Sequence, residues 1–207
     1  MAEGHRKTLH CSTGDEIIIC CAPSKAKLVL RAHPSALELI GRTLAMNFVG
    51  VSGHYVERED DRALWLGPDE WLLKSSNEPA GLINTLERDC AGLRYAVVDV
   101  SSMYMTVHVC GQRSAFLINH GCPLDLSAEA FENGRCTRTV LGKSEIILSR
   151  LGERAFEIDV LRSFTPYVVH FLREASIGLN ASSKIGSGKD GVQDGALATH
   201  AADQQIS

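Results

Sequence analysis

Apolar positions along this chain fall into short alternating runs and longer runs of 3.6-residue period, and the two kinds take turns. Residues 27–31, Lys-Leu-Val-Leu-Arg, read as a strand. Residues 34–46 read as a helix, opened by Pro34 and Ser35, with Leu37, Leu39, Ile40 and Leu44 on its apolar face. Residues 63–66 and 71–74 are two arms of a hairpin and carry both tryptophans, Trp65 and Trp71. Gly67 and Pro68 punctuate it, and Asp69 and Glu70 are expected to keep its tip in water. A second helix covers 79–90, with Leu82, Ile83 and Leu86 inward and Gly92 just past its end, and 95–100 returns as a strand. Strand, helix, strand, strand, helix, strand is the split β-α-β, or ferredoxin-like, order.

The second half begins in the same way. Residues 104–110 alternate as a strand, Gly111 opens a helix over 112–119, and a loop with Pro123 follows. Three strand signals at 137–141, 145–149 and 155–160 are spaced for antiparallel hairpins, with Gly142 and Gly152-Glu153 at the turns. Residues 163–174 close the series as a helix carrying Phe164, Tyr167, Val168 and Phe171. The expected fold class is α+β, one domain over 16–177 made of two split β-α-β halves with internal pseudo-symmetry. Residues 1–15 read as a flexible N-terminus. From 178 to 207 Gly, Ala, Ser, Asp and Gln dominate and aromatics vanish. Such a segment buries too little apolar surface to offset about 1–2 kcal/mol of backbone entropy per ordered residue, so it reads as a disordered tail.

Composition narrows the function classes. The chain has 207 residues, 44% hydrophobic and 22% charged, enough for a sizeable core. A net charge of −4 and the lack of a dense Lys/Arg block argue against nucleic acid. No apolar run reaches about 18 residues, which argues against a membrane span. Seven cysteines, an odd number with no Cys-x-x-Cys pair, fit a reducing cytoplasm better than a disulfide framework.

Candidate chemistry is sparse. His108-Val109-Cys110 and His120-Gly121-Cys122 are two His-x-Cys pairs. On a strand His108 and Cys110 share a face, so the two pairs offer four metal ligands, or else ordinary core and polar residues. Cys20-Cys21, in an apolar run, is redox-capable or plain strand packing. Residues 57–62, Glu-Arg-Glu-Asp-Asp-Arg, read as a solvated loop. Asp99 places a carboxylate in an otherwise buried strand, where it either binds a ligand amine or ties down the following turn through Ser101 or Ser102. Gly186-Ser187-Gly188-Lys189 superficially resembles a phosphate loop but follows no strand. The chain carries no Gly-x-Gly-x-x-Gly that follows a strand signal, so a flavin or nicotinamide cofactor in its system would sit on another chain.

The run Leu-Trp-Leu-Gly-Pro-Asp-Glu-Trp-Leu-Leu at 64–73 resembles a segment of sarcosine oxidase gamma subunits. The likeness continues in order through Val98-Asp99-Val100-Ser101, then Gly111 with Ala115, Leu117 and Ile118. It extends through Gly121-Cys122-Pro123-Leu124-Asp125-Leu126, Phe131, Gly134 and Arg135, then residues 137–141, Arg162-Ser163-Phe164 and Tyr167. It covers about 27–177. This resemblance implies a fold akin to aminomethyltransferase and folate-binding domains, and partner alpha, beta and delta subunits. FAD, FMN and NAD are then expected on alpha and beta, zinc on delta, and none bound by this chain. The implied complex demethylates sarcosine with tetrahydrofolate and O2 to glycine, methylenetetrahydrofolate and hydrogen peroxide. The gamma chain has no assigned catalytic residue in that scheme, and Trp65 and Trp71 are its interface candidates or plain core. Alternatives are the corresponding subunit of an N-methylglutamate or dimethylglycine dehydrogenase, or a free-standing folate-binding one-carbon transfer protein with Asp99 at its ligand.

Overall fold

The computed structural model describes residues 17–22, 25–49 and 51–186. In chain order these form β1 (Ile18–Cys21), β2 (Ala26–Ala32), α1 (Pro34–Leu44), β3 (Tyr55–Arg58), β4 (Asp61–Gly67), β5 (Glu70–Ser75), α2 (Pro79–Asp89) and β6 (Tyr95–Asp99). Then follow β7 (Tyr104–Cys110), α3 (Ser114–Asn119), β8 (Cys136–Leu141), β9 (Ser144–Gly152), β10 (Ala155–Leu161), a 3-10 turn (Arg162–Phe164) and α4 (Thr165–Gly186). Sheet I has the strand order β3-β4-β5-β2-β6 and sheet II the order β1-β7-β10-β9-β8, antiparallel throughout.

Period-two alternation gives each sheet two buried faces. The outer face of sheet I sends Leu28, Leu30, Trp71 and Leu73 against Leu37 and Ile40 of α1 and Leu86 of α2. The outer face of sheet II sends Val107, Val109, Phe156 and Ile158 against Leu117 of α3 and Val168 and Leu172 of α4. The inner faces meet through Leu64 and Leu72 of sheet I and Cys136 and Ile147 of sheet II. The result is four layers, α/β/β/α, which is the α+β class with ferredoxin-like halves.

The halves repeat strand for strand, with a permutation. β2-α1-β3-β4-β5-α2-β6 corresponds to β7-α3-β8-β9-β10-α4, but the place that β6 takes beside β2 is taken beside β7 by β1, from the start of the chain. The halves are joined at an isolated antiparallel bridge, His54↔Arg135. Around it Tyr55 N donates to Gly134 O and Cys136 N to Gly53 O, both at 2.9 Å. Gly53 (φ 66°) and Gly134 (φ 91°) supply the same left-handed kink before β3 and before β8.

Local signals account for the helix limits. Pro34 stands at the first turn of α1, with His33 Nδ1 accepting from Ser35 N. The helix ends at Ala45 (φ 52°), where Met46 N bonds Gly41 O at 2.9 Å. A Cβ on Gly41 would stand 2.5 Å from Met46 O, so this cap needs glycine there.

Three expectations require correction. The charged run 57–62 is a hairpin, β3 to β4, turning at Glu59 (φ 55°), and Arg62 reaches inward between the sheets. Glu70 is buried, 7% exposed, and does not sit in water at the hairpin tip. The last helix does not stop near 174 or at the tail boundary drawn after Ile177, but continues to Gly186. Gly178 costs that helix only about 1 kcal/mol relative to alanine. Against this, Leu179 is 4% exposed in the sheet II core, and Arg113 Nη1 donates to its carbonyl at 3.1 Å. Expectations for residues 1–15 and for the tail beyond 186 lie outside the described residues.

Candidate functional site

The densest group of titratable side chains lies between the sheets. Lys74 on β5 donates to Glu157 Oε1 (2.7 Å), Asp159 Oδ2 (2.7 Å) and Oδ1 (2.9 Å), and Thr106 Oγ1 (3.3 Å). Thr106 donates its hydroxyl to Asp159 Oδ1 at 2.5 Å. Lys27 stands 3.9 Å from Asp159 and donates to Tyr104 O at 3.5 Å. Arg62 reaches Glu157 at 3.3 Å and lies over the Tyr55 ring, 4.6 Å from its centroid. Period two places Glu157 and Asp159 of β10, Thr106 and His108 of β7, and Lys27, Arg62 and Lys74 of sheet I on the facing surfaces.

Charge balance decides what this cluster can do. Burial works against the Lys74 ammonium, but Asp159 and Glu157 outweigh it and hold its pKa above the usual lysine range. Burial likewise opposes the Glu157 carboxylate, yet Lys74, His108 and Arg62 hold its pKa well below the usual range. Lys27 is pushed down by burial, with Asp159 acting in the other direction. A lysine kept protonated and enclosed by two carboxylates is neither a nucleophile nor a base. Ionised Glu157 only accepts, so His108 carries its proton on Nε2, 3.1 Å from Glu157 Oε2. The cluster joins the two sheets through buried ion pairs.

Two further clamps are structural. Glu70 accepts from Arg31 of its own sheet (2.7 and 3.1 Å) and from Arg138 of sheet II. Burial raises its pKa, but the two guanidinium groups prevail and hold it below the usual range. Arg150, 4% exposed, donates to the carbonyls of Leu126, Ser127, Phe131, Gly152 and Glu153 at 2.8–3.2 Å. It fixes the long loop between α3 and β8 to the end of sheet II.

The residues singled out from sequence are not brought together. Asp99 is exposed rather than buried, because β6 is an edge strand. Its Oδ1 accepts from Ser101 N (2.9 Å) and Ser101 Oγ (2.5 Å), which lowers its pKa and closes the turn before β7. His108 lies on the inner face of sheet II. Cys122 is 4% exposed on the other side of that sheet, in the core under its helices. Cys110 is buried, and His120 is exposed at the end of α3, donating from Nδ1 to Phe116 O. The sheet thus separates the two His-x-Cys pairs. Among the described residues no group of three or more His, Cys, Asp or Glu gathers to hold a metal ion. Trp71 is 1% exposed, edge-on to Phe48 with ring centroids 4.9 Å apart, so it is core. Trp65, opposite Trp71 in the hairpin, is partly exposed and is the one of the pair that a partner can reach.

The functional group that sequence reasoning missed had one visible signal. In Ala-Phe-Glu-Ile-Asp-Val, residues 155–160, two carboxylates alternate with apolar residues and therefore share a strand face. Surface features are modest. A cavity of about 360 Å³ lies between α1 and the segment after it, lined by Leu37, Gly41, Arg42, Met46, Phe48 and Val49. Phe116 and Met103 stand out from α3 and from the turn before β7, 56% and 50% exposed.

The family model "Sarcosine oxidase, gamma subunit family" matches residues 32–178. The sarcosine oxidase subunit gamma of Corynebacterium sp. (strain U-96) is 34% identical over 119 residues, 58% of this chain and 58% of the relative. That of Arthrobacter sp is 29% identical over 143 residues, 69% of this chain and 68% of the relative. A chain in the heterotetrameric sarcosine oxidase from Corynebacterium sp. U-96, in complex with pyrrole 2-carboxylate, is similar in structure. Its TM-score is 0.73 at 28% identity, covering 79% of this chain and 85% of that one. Glycine cleavage system aminomethyltransferase T from Bartonella henselae shares the fold alone, with a TM-score of 0.57 at 13% identity, covering 75% of this chain and 45% of that one.

Proposed function

Because the chain belongs to the sarcosine oxidase gamma subunit family, we propose that it is the gamma subunit of a heterotetrameric sarcosine oxidase and serves that assembly structurally. The similarity over most of both chains to a component of a solved heterotetramer carries this reading. Its partners are alpha, beta and delta chains. The complex oxidises the N-methyl group of sarcosine with O2 and passes the carbon to tetrahydrofolate, giving glycine, methylenetetrahydrofolate and hydrogen peroxide. FAD, FMN and NAD belong to the alpha and beta chains and zinc to delta. No helix among the described residues is long and apolar enough to cross a membrane, and the proposed assembly works in the cytoplasm. A structural role agrees with a polar cluster whose charges satisfy one another and with an Asp99 engaged by its own turn.

Co-expression of tagged chain with genes for the three proposed partners tests the proposal. The expected eluate is yellow, holds two larger chains and one small one, and makes peroxide when given sarcosine. A colourless, solitary chain overturns it. If calorimetry then shows that the isolated chain binds tetrahydrofolate, and that Asp99→Asn abolishes the binding, the folate-enzyme reading replaces it.

A further inference from the structure

Corresponding positions of the two halves carry opposite charges where the halves meet. The bridge at His54↔Arg135 equates Tyr55 with Cys136. Cross-strand pairing extends that equivalence along two rows, Tyr55–Leu64–Leu72–Val29 in sheet I and Cys136–Ser149–Glu157–His108 in sheet II. Two residues further along β5 and β10 stand Lys74 and Asp159, equivalent to each other and in contact at 2.7 Å. By the same rows Glu57 of β3 is equivalent to Arg138 of β8, again with opposite signs. The inner face of sheet I brings the cations Lys27, Arg62 and Lys74 to the cluster, and that of sheet II brings the anions Glu157 and Asp159.

We infer that this division of charge is a pairing code, which lets sheet I close on sheet II of the same chain and rejects the corresponding face of a second copy. An internal repeat invites that error. Sheet I docked on sheet I would set Lys74 against Lys74, beside Lys27 and Arg62. Sheet II on sheet II would set Asp159 against Asp159, beside Glu157. Both arrangements set like charges against each other, with only Glu57 beside Arg62 and His108 beside Glu157 as partners from their own sheet, whereas the native one pairs Lys74 with Glu157 and Asp159. The apolar centre of Leu64, Leu72, Cys136 and Ile147 has no such preference, since apolar contact is non-directional. A buried polar group that fixes register or partner choice, at no necessary gain in stability, is a known use of such groups.

The test is refolding of the full chain from urea at several concentrations, with mass measured by light scattering after size exclusion. Wild type is expected to return as monomer. Lys74→Met/Glu157→Gln/Asp159→Asn, which removes the anions and their main counter-ion, is expected to return a several-fold larger dimeric fraction that grows with concentration. Leu72→Ala weakens the apolar centre without touching a charge and is expected to return as monomer. Monomeric refolding of the triple variant overturns the inference, and so does an equal dimeric fraction from Leu72→Ala. If the triple variant does not regain native tryptophan fluorescence, Asp159→Asn alone decides: more dimer than Leu72→Ala supports the code, and no more than Leu72→Ala overturns it.

Discussion

Replacing Lys74 with methionine keeps the length and most of the packing of the side chain but removes one charge between the sheets. The ammonium makes four hydrogen bonds, three of them to carboxylate oxygens at 2.7–2.9 Å. Without it Glu157 retains Arg62 and His108, but Asp159, fully buried, retains only the Thr106 hydroxyl and Lys27 at 3.9 Å. Breaking a buried pair from one side costs about 3–5 kcal/mol, because the remaining charge is stranded. For a chain of this size that corresponds to a Tm lower by roughly 6–20 °C. Urea unfolding followed by the fluorescence of Trp65 and Trp71 measures it. The pH dependence gives an independent sign. In the wild type the depressed pKa of Glu157 contributes stability that is fully present above the unfolded carboxylate pKa, and it is lost as pH falls through the lower folded value. In Lys74→Met that contribution is reduced, because Lys74 is the strongest of the groups that depress the Glu157 pKa, so the deficit should shrink as pH falls below the unfolded carboxylate value. Lys74→Met/Asp159→Asn removes both charges and should lose less than Lys74→Met alone. A deficit under about 1 kcal/mol that does not change with pH would refute the view that these carboxylates depend on Lys74.

Other consequences are open to measurement. Arg150→Met leaves five carbonyl acceptors without their shared donor and should cost about 2–4 kcal/mol, with proteolysis appearing first in the 123–134 loop; a neutral effect would contradict the clamp. Gly142→Ala forces a left-handed conformation (φ 60°) and drives a Cβ into the Tyr167 hydroxyl, for a loss of about 1–3 kcal/mol. Adding Tyr167→Phe should lessen that loss, and purely additive losses would show that the hydroxyl is not the obstacle. At pH 8 a thiol reagent should label the exposed Cys20 and Cys21 in the native protein. Cys136, whose thiol burial pushes up to about 12, should react only on unfolding, as read by peptide mass spectrometry.

Alternation and capping are local properties, so most elements are legible in the order of residues alone. Residues 27–31, 95–100 and 104–110 lie on strands almost as read, and Pro34 and Pro79 begin helices. The run 57–62 is not legible as a hairpin because the charges that mark a loop also mark the exposed turn between an edge strand and its neighbour. Helix α4 outruns its compositional boundary because one buried leucine and one arginine bond, both tertiary, offset the weak propensity around Gly178.

The sequence by itself determined the class, two α+β halves with a scarcity of catalytic chemistry, and through the order of its motifs the family. It also determined that Glu157 and Asp159 share one strand face. Only the tertiary structure decided which face that was and what met it. Lys74 lies 83 and 85 positions from those carboxylates, and Lys27 lies 77 from the carbonyl it bonds. A period of two residues reports where side chains point relative to their own strand. It carries nothing about a partner strand reached across two sheets, and β1 entering the far sheet is the same lesson at the scale of a whole strand.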